Sequence, residues 1–300
     1  MFTDSNPTPM PEGRPHPFAV GPMPPSRDQG CPSAGLRPVS ETLLIPLYFR
    51  ALESRRKNPI VRDPLANSMV SRIDYDFSRF GPPDLTCTAT LMRIREFDRL
   101  TSAFLEKRPG SCVVNIGCGL DTRFFRMDNG RVLWFDLDFP DVIAFRRRFL
   151  RETPRCRFIP GSVLDPAWCD ALPADCGERL LLLAEGVMPY LPEAGVRQLV
   201  ATLATRFPGA RLVFDVVSPL QALLTHFNPV LMATQARFRW GLARGTGVER
   251  WARGVRLEHE IFYFDQPEPR LGVYNCLRLF PHIARGFSIL QLKLAPPEIP

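Results

Sequence analysis

An α/β fold, built on a doubly wound and mostly parallel sheet, is what this sequence predicts, and three observations predict it. From Ser111 onward, short apolar runs alternate with stretches of helical pattern. The runs are continuously apolar rather than alternating, as expected for strands buried on both faces. The first run also ends in a tight Gly117-Cys118-Gly119 turn, at the place where such sheets bind ligands.

Residues 1–38 are rich in Pro, Gly and Ser and lack apolar periodicity, so a disordered tail is expected there. Residues 39–110 read as an N-terminal helical cap. Its elements are broken at Asn58-Pro59, Asp63-Pro64 and Gly81-Pro82-Pro83. The helix containing LMRIREFDRLTSAFL carries Leu91, Ile94, Phe97, Leu100 and Phe104 on one stripe. Residues 111–300 form the α/β domain, with strands expected at SCVVNI, RVLWFDLD, RCRFIPG, RLLLLAEG and ARLVFDVV. Two further strands are expected at LEHEIFYF (257–264) and GFSILQLKL (286–294). Between them and the fifth strand, about residues 219–256, a helical cover over the carboxyl edge of the sheet is expected.

The chain has 300 residues, 45% of them hydrophobic, ample for a large core. No apolar run approaches the roughly 20 residues that cross a bilayer. The N-terminus shows no secretory pattern, so a cytoplasmic protein without membrane partners is expected. The 8 cysteines are scattered without a C-x-x-C pair, and no ligand set for a metal assembles; reduced thiols and no metal are expected. The net charge of +7 raises the question of nucleic acid. The charge is almost all arginine, and its one dense cluster, Arg146-Arg147-Arg148, reads as a solvated helix face. No basic and aromatic stripe accompanies it, which argues against a nucleic-acid partner.

The chemistry is concentrated at the strand ends. Glycine at the turn lets a backbone approach a ligand closely. A third glycine at dinucleotide spacing is missing; Asp121 stands at the start of the next helix, where a pyrophosphate would meet negative charge. An acidic loop instead suits the ammonium of S-adenosyl-L-methionine (SAM). Asp136 and Asp138, roughly 20 residues past the glycines, suit ribose hydroxyls, one of them serving structure instead. Glu185 follows five apolar residues at a central strand end, where a carboxylate needs a partner. Val163, Leu164 and Trp168 can lid an adenine or simply pack.

Together, the helix LMRIREFD, the turn NIGCGLDTRFFR, the strand WFDLDFP and the strand LLLLAEGVMPYL resemble the leucine carboxyl methyltransferase family, including its bacterial branch of tetracenomycin-type polyketide O-methyltransferases. The resemblance spans about residues 40–218, and 251–294 more loosely. It implies a class I SAM methyltransferase, Rossmann-like in fold, with SAM as its cofactor. It further implies that Arg93 pairs with the methionine carboxylate, Gly117 admits the cofactor, Asp138 binds ribose and Glu185 contacts the methionine amino group or the adjacent backbone. Cys118, Gly119, Asp121, Val163 and Leu164 complete the expected cofactor set. Where the family often has an acid beside the adenine, this chain has Ser162 and Val163.

The expected function is O-methylation of a carboxylate or hydroxyl on a small, polyketide-like molecule. A carboxylate needs no base, whereas a hydroxyl does; His226 and Tyr190 are the candidates for base and orienting group. The competing readings are an NAD-dependent oxidoreductase, a non-catalytic SAM-binding module and a protein carboxyl methyltransferase.

Overall fold

The structure is a computed structural model that describes residues 31–32, 38–234, 236–265 and 267–294. The expected N-terminal tail therefore lies outside the described residues, apart from Cys31, Pro32 and Pro38. Among the described residues, no helix is long and apolar enough to cross a membrane.

Helices α1 (Leu44–Ser54), α2 (Pro64–Val70) and α3 (Leu85–Lys107) come first. Strand β1 (Cys112–Ile116), helix α4 (Arg123–Met127), strand β2 (Leu133–Asp138), helix α5 (Pro140–Arg146) and strand β3 (Cys156–Pro160) follow. After β4 (Leu180–Ala184) come α6 (Glu193–Arg206), β5 (Arg211–Val217) and α7 (Pro219–Leu224), then β6 (Val255–Phe262) and β7 (Phe287–Leu294). These seven strands make one sheet in the order β3-β2-β1-β4-β5-β7-β6. Strands β1 to β5 pair in parallel, while β7 runs antiparallel to both of its neighbours. The chain leaves β1 toward β2 and β3, then crosses back to β4 and β5. The crevice of the sheet consequently opens at the carboxyl ends of β1 and β4.

Every residue of β1 and of β4 is buried, the pattern that their unbroken apolar runs predict. Val113, Leu181, Leu183 and Val213 share one core with α1 and with the apolar stripe of α3. Val114, Leu182, Leu212 and Phe214 pack on the other face against Val196, Val200 and Leu203 of α6. The N-terminal helices are also fastened to the glycine turn by polar contacts. Arg50 of α1 donates to Asp63 (2.8 Å) and to the Leu120 carbonyl (2.8 Å), and Thr122 donates to the same Asp63 at 2.6 Å.

Three expectations need correction. The cover is less regular than a set of helices: after α7 it consists of short helical turns at Thr225–Phe227, Pro229–Met232 and Gly245–Arg250. Pro219, Pro229 and a run of glycines restart or stop the backbone too often for longer helices. Strand β6 starts and ends two residues earlier than its pattern suggests, so Tyr263 and Phe264 leave the sheet. The arginine cluster is not one solvated face. Arg147 and Arg148 are exposed, but Arg146 is 1% exposed and holds Asp136 at 2.5 Å and the Gly119 and Asp121 carbonyls at 3.0 and 2.7 Å.

Candidate active site

A cavity of about 450 Å³ occupies the crevice above β1, β2, β4 and β5. Its floor is the turn after β1. Gly117 (φ 64°) and Gly119 (φ 47°) take left-handed backbone conformations there, and a Cβ at Gly117 would overlap Val187. The amides of this turn are already engaged. Gly117 and Cys118 donate to the Leu137 carbonyl, at 2.7 and 3.1 Å, and Gly119 donates to Asp138 Oδ2 at 2.8 Å. Asp121 accepts from the Arg123 amide (3.0 Å) at the start of α4, so the helix end that a pyrophosphate would need carries a carboxylate. Burial opposes the charge of Asp121, but Arg123 and Arg126 outweigh it and hold its carboxyl well below the usual range. A dinucleotide phosphate would therefore meet glycine amides already engaged and a helix start that carries a carboxylate.

The two acids of β2, two residues apart and so on one face of the strand, differ in depth. Asp136 is fully buried beneath the floor, bonded to Arg146, Trp134 and Asn115. Asp138 lines the cavity. Its Oδ2 takes the Gly119 amide and its Oδ1 the Phe139 amide (2.7 Å), which leaves a lone pair on each oxygen facing the crevice. Burial pushes its carboxyl up to about 6, against the pull of those two amides.

At the opposite end, carboxylates and guanidiniums interlock. Arg93 of α3 donates to Glu185 (3.1 Å) and to Asp215 of β5 (3.2 Å). Arg123 bridges Glu185, Asp121 and Asp98 at 2.5, 2.7 and 2.6 Å. Asp215 also accepts from the Gly186 amide (2.6 Å) and from the Tyr263 hydroxyl (3.2 Å). Burial works against the charge of Arg93, but Asp215, Tyr263 and Glu185 keep it firmly protonated. Much of the remaining wall is apolar, formed by Leu224, Leu231, Phe238, Phe264, Leu277 and Phe287, with Thr86, Thr90, Gln221, Thr225 and Asn228 among its polar residues.

Of the expected site residues, Arg93, Gly117, Cys118, Gly119, Asp121, Asp138, Val163 and Glu185 all line this cavity, as does Tyr190. Leu164 does not: it is 41% exposed and lies beside Gly195. His226 also stands apart, exposed in the Thr225–Phe227 turn and outside the cavity lining. Sequence reasoning missed Asp215, Tyr263 and the wall contributed by Phe264, Leu277 and Ile283 from the connection between β6 and β7.

Comparison with known proteins bears on this geometry. The sequence model described as leucine carboxyl methyltransferase matches residues 44–204, which hold α1 to α3, the glycine turn, both β2 acids and Glu185. The chain belongs to the leucine carboxyl methyltransferase family. Among relatives, it is 35% identical over 230 residues to the tetracenomycin polyketide synthesis O-methyltransferase TcmP of Streptomyces glaucescens, covering 76% of this chain and 84% of that one. It is 30% identical over 271 residues to the S-adenosyl-L-methionine-dependent methyltransferase dpfgK of Gibberella zeae, covering 83% and 90%. Among solved structures, a DUF574 family protein from Streptomyces avermitilis aligns with a TM-score of 0.57 at 15% identity, covering 87% of this chain and all of that one. That last likeness establishes the fold, a Rossmann-like α/β sheet.

As a family member, the chain is a SAM-dependent methyltransferase with SAM as its cofactor. The residues present fit that group. An acid with outward lone pairs (Asp138) suits a diol, and the half-buried carboxylates Glu185 and Asp121 suit an ammonium. The guanidinium of Arg93 suits a carboxylate, by its forked donors.

Proposed function

We propose that this methyltransferase methylates an oxygen, carboxylate or hydroxyl, of a small apolar molecule of polyketide type. The observation that carries the reading is the division of the cavity: a charged half at the strand ends and a mostly apolar, phenylalanine-lined half beside it. Flat fused rings fit walls of this kind, which offer aromatic faces and a few polar partners. The relationship to a methyltransferase of tetracenomycin polyketide synthesis supports the same acceptor class.

In this reading Asp138 accepts the ribose hydroxyls, Gly117 and Gly119 allow close approach, and Val163 covers the adenine. Arg93 and Glu185 hold the carboxylate and ammonium of the methionine end. SAM supplies an activated methyl group, open to in-line displacement from its sulfonium. The chain contributes proximity and alignment, and its apolar walls exclude the water that would compete for the methyl group. Tyr190, packed edge-on against Phe238 (4.9 Å), stands where the two halves meet and orients the acceptor oxygen.

The test is calorimetric titration with SAM, followed by turnover of fused-ring phenols and carboxylates, with methylated product read by mass spectrometry. Binding of SAM together with methylation of a small aromatic acceptor is expected. Binding without any methylated product would favour a non-catalytic module, and product only on peptide C-termini would favour a protein substrate.

A further inference from the structure

We propose that the mouth of the cavity is a docking face for an anionic lipid bilayer, on which this methyltransferase rests peripherally. Two chain segments frame that mouth. The first, α7 and the turns after it, gives the cavity Gln221, Leu224, Thr225 and Leu231; the second, between β6 and β7, gives it Leu277 and Ile283. They meet where the Ser218 amide donates to the Gly286 carbonyl (2.8 Å) and the Gln221 side chain lies against Gly286. Large apolar side chains stand out to solvent beside these lining residues. Leu223, Phe227 and Met232 on one side, and Val273, Leu279 and Phe280 on the other, are between 55% and 81% exposed. Single exposed apolar residues are ordinary, but a set gathered round one opening marks an interaction surface.

The charge of the same segments tells what that surface meets. No aspartate or glutamate occurs between Asp215 and Glu249, nor between Glu268 and Glu298, although 31 of the 300 residues are acidic. Exposed arginines remain there: Arg237 and Arg239 flank Phe238 of the cavity wall, and Arg278 and Arg285 follow Leu277 and Ile283. Apolar and basic groups thus rim the mouth together. On an anionic bilayer the apolar tips enter the interface while the guanidiniums meet lipid phosphates.

A second copy of the chain fits this face poorly, because a two-fold contact would set arginine against arginine with no carboxylate to answer it. The apolar side chains also project from several separate turns around an opening. A fluid surface takes each of them independently, whereas a folded partner needs pockets matched to all. Docking of this kind requires no spanning helix, and among the described residues there is none. A docked mouth opens on lipid, where apolar acceptors collect. That consequence rests on the reading of the apolar half as the acceptor site; the docking itself does not.

The test is co-sedimentation of the full chain, without acceptor, with vesicles of phosphatidylcholine alone or of equal parts phosphatidylcholine and phosphatidylglycerol. Binding to the mixed vesicles is expected to be at least about 10-fold tighter and to weaken with salt. Phe227→Ser with Leu279→Ser should weaken it at least about 10-fold, by loss of inserted apolar surface. Arg278→Glu with Arg285→Glu should weaken it on the order of 100-fold. None of these four residues lines the cavity, so both double variants should hold the Kd for SAM within about twofold. Arg131→Glu with Arg151→Glu makes the same charge change at exposed positions on the amino edge of the sheet, and should bind vesicles within about threefold of wild type. An equal loss in that control would reduce the effect to net charge and overturn the face. Absence of vesicle binding overturns the proposal outright. A dimer in size-exclusion chromatography that the serine variant dissociates would then assign the face to a second copy. A monomer that binds polyglutamate through Arg278 and Arg285 would assign it to an acidic protein. Absence of methylation with vesicle binding intact would strike the acceptor reading alone.

Discussion

Replacing Asp138 with Asn separates what the site needs from what the fold needs. In the wild type, each carboxylate oxygen accepts one backbone amide and keeps a lone pair toward the cavity. Hydrogen bonds to a charged acceptor contribute about 1.5–3 kcal/mol each, and the amide that replaces the carboxylate has a single accepting oxygen. Loss of about 3 kcal/mol is expected, or on the order of 100-fold in the Kd for SAM. Stability moves by a different rule. Burial raises this carboxyl from its ordinary 3.8 to about 6, so the ionised form costs the free protein about 3 kcal/mol at neutral pH. Between about pH 4 and 6 the native state holds this proton more tightly than the unfolded chain does, so stability falls as pH rises through that window and levels off above it. Asn carries no such charge, but its NH2 group faces one of the two amides, a loss of about 1–3 kcal/mol. The variant should therefore melt close to wild type at pH 7 and lack this share of the pH dependence. Isothermal titration with SAM and thermal melts across that pH range measure both. A SAM Kd within threefold of wild type, or identical pH dependence of melting in the two proteins, would refute the reasoning.

Three further substitutions probe other parts of the molecule. Gly117→Ala forces a left-handed backbone on a residue with a Cβ and drives Val187 into the cavity, so SAM affinity should drop at least about 10-fold in titration, with a modest loss of stability of about 1–2 kcal/mol. Arg146→Met leaves Asp136 charged and fully buried without its partner; chemical denaturation should show a loss of about 3–5 kcal/mol. Phe238→Trp narrows the apolar half and disturbs the contact with Tyr190, so KM for a fused-ring acceptor should rise while the Kd for SAM holds, as steady-state kinetics beside titration will show.

The sheet was legible because its strands are short, unbroken apolar runs between punctuated helices, a pattern that parallel strands buried on both faces impose. The cofactor half was legible for a related reason: at strand ends, glycines and acids interrupt that pattern, and Gly117, Asp138 and Glu185 stand at the interruptions. Asp215 escaped notice because apolar residues flank it on both sides. The argument that singled out Glu185 applies to it equally, since a carboxylate inside a buried strand must have partners. Tyr263 and Phe264 look like strand in the sequence because their alternation continues past the point where pairing with β7 stops. The acceptor walls come from turns set by Pro, Asn and Gly, and no local periodicity records what such turns will face. His226 shows the converse: a residue of suitable chemistry in the right segment, on the wrong side of it.

The arginine content then takes on a structural meaning that composition alone did not convey. Arg50, Arg93, Arg123, Arg126 and Arg146 each make several directed bonds around the glycine turn, to Asp63, Asp98, Asp121, Asp136, Glu185 and Asp215 and to backbone carbonyls. A lysine ammonium cannot span two carboxylates in a plane as Arg93 spans Glu185 and Asp215, and it loses its proton more readily when buried. Such a lattice fixes the positions of Asp121, Glu185 and Asp215 before any ligand arrives. Charges held rigid in this way meet a charged cofactor without the reorganisation that mobile side chains would require. Part of the arginine of this chain is therefore the frame of its own active site, matched there by carboxylates.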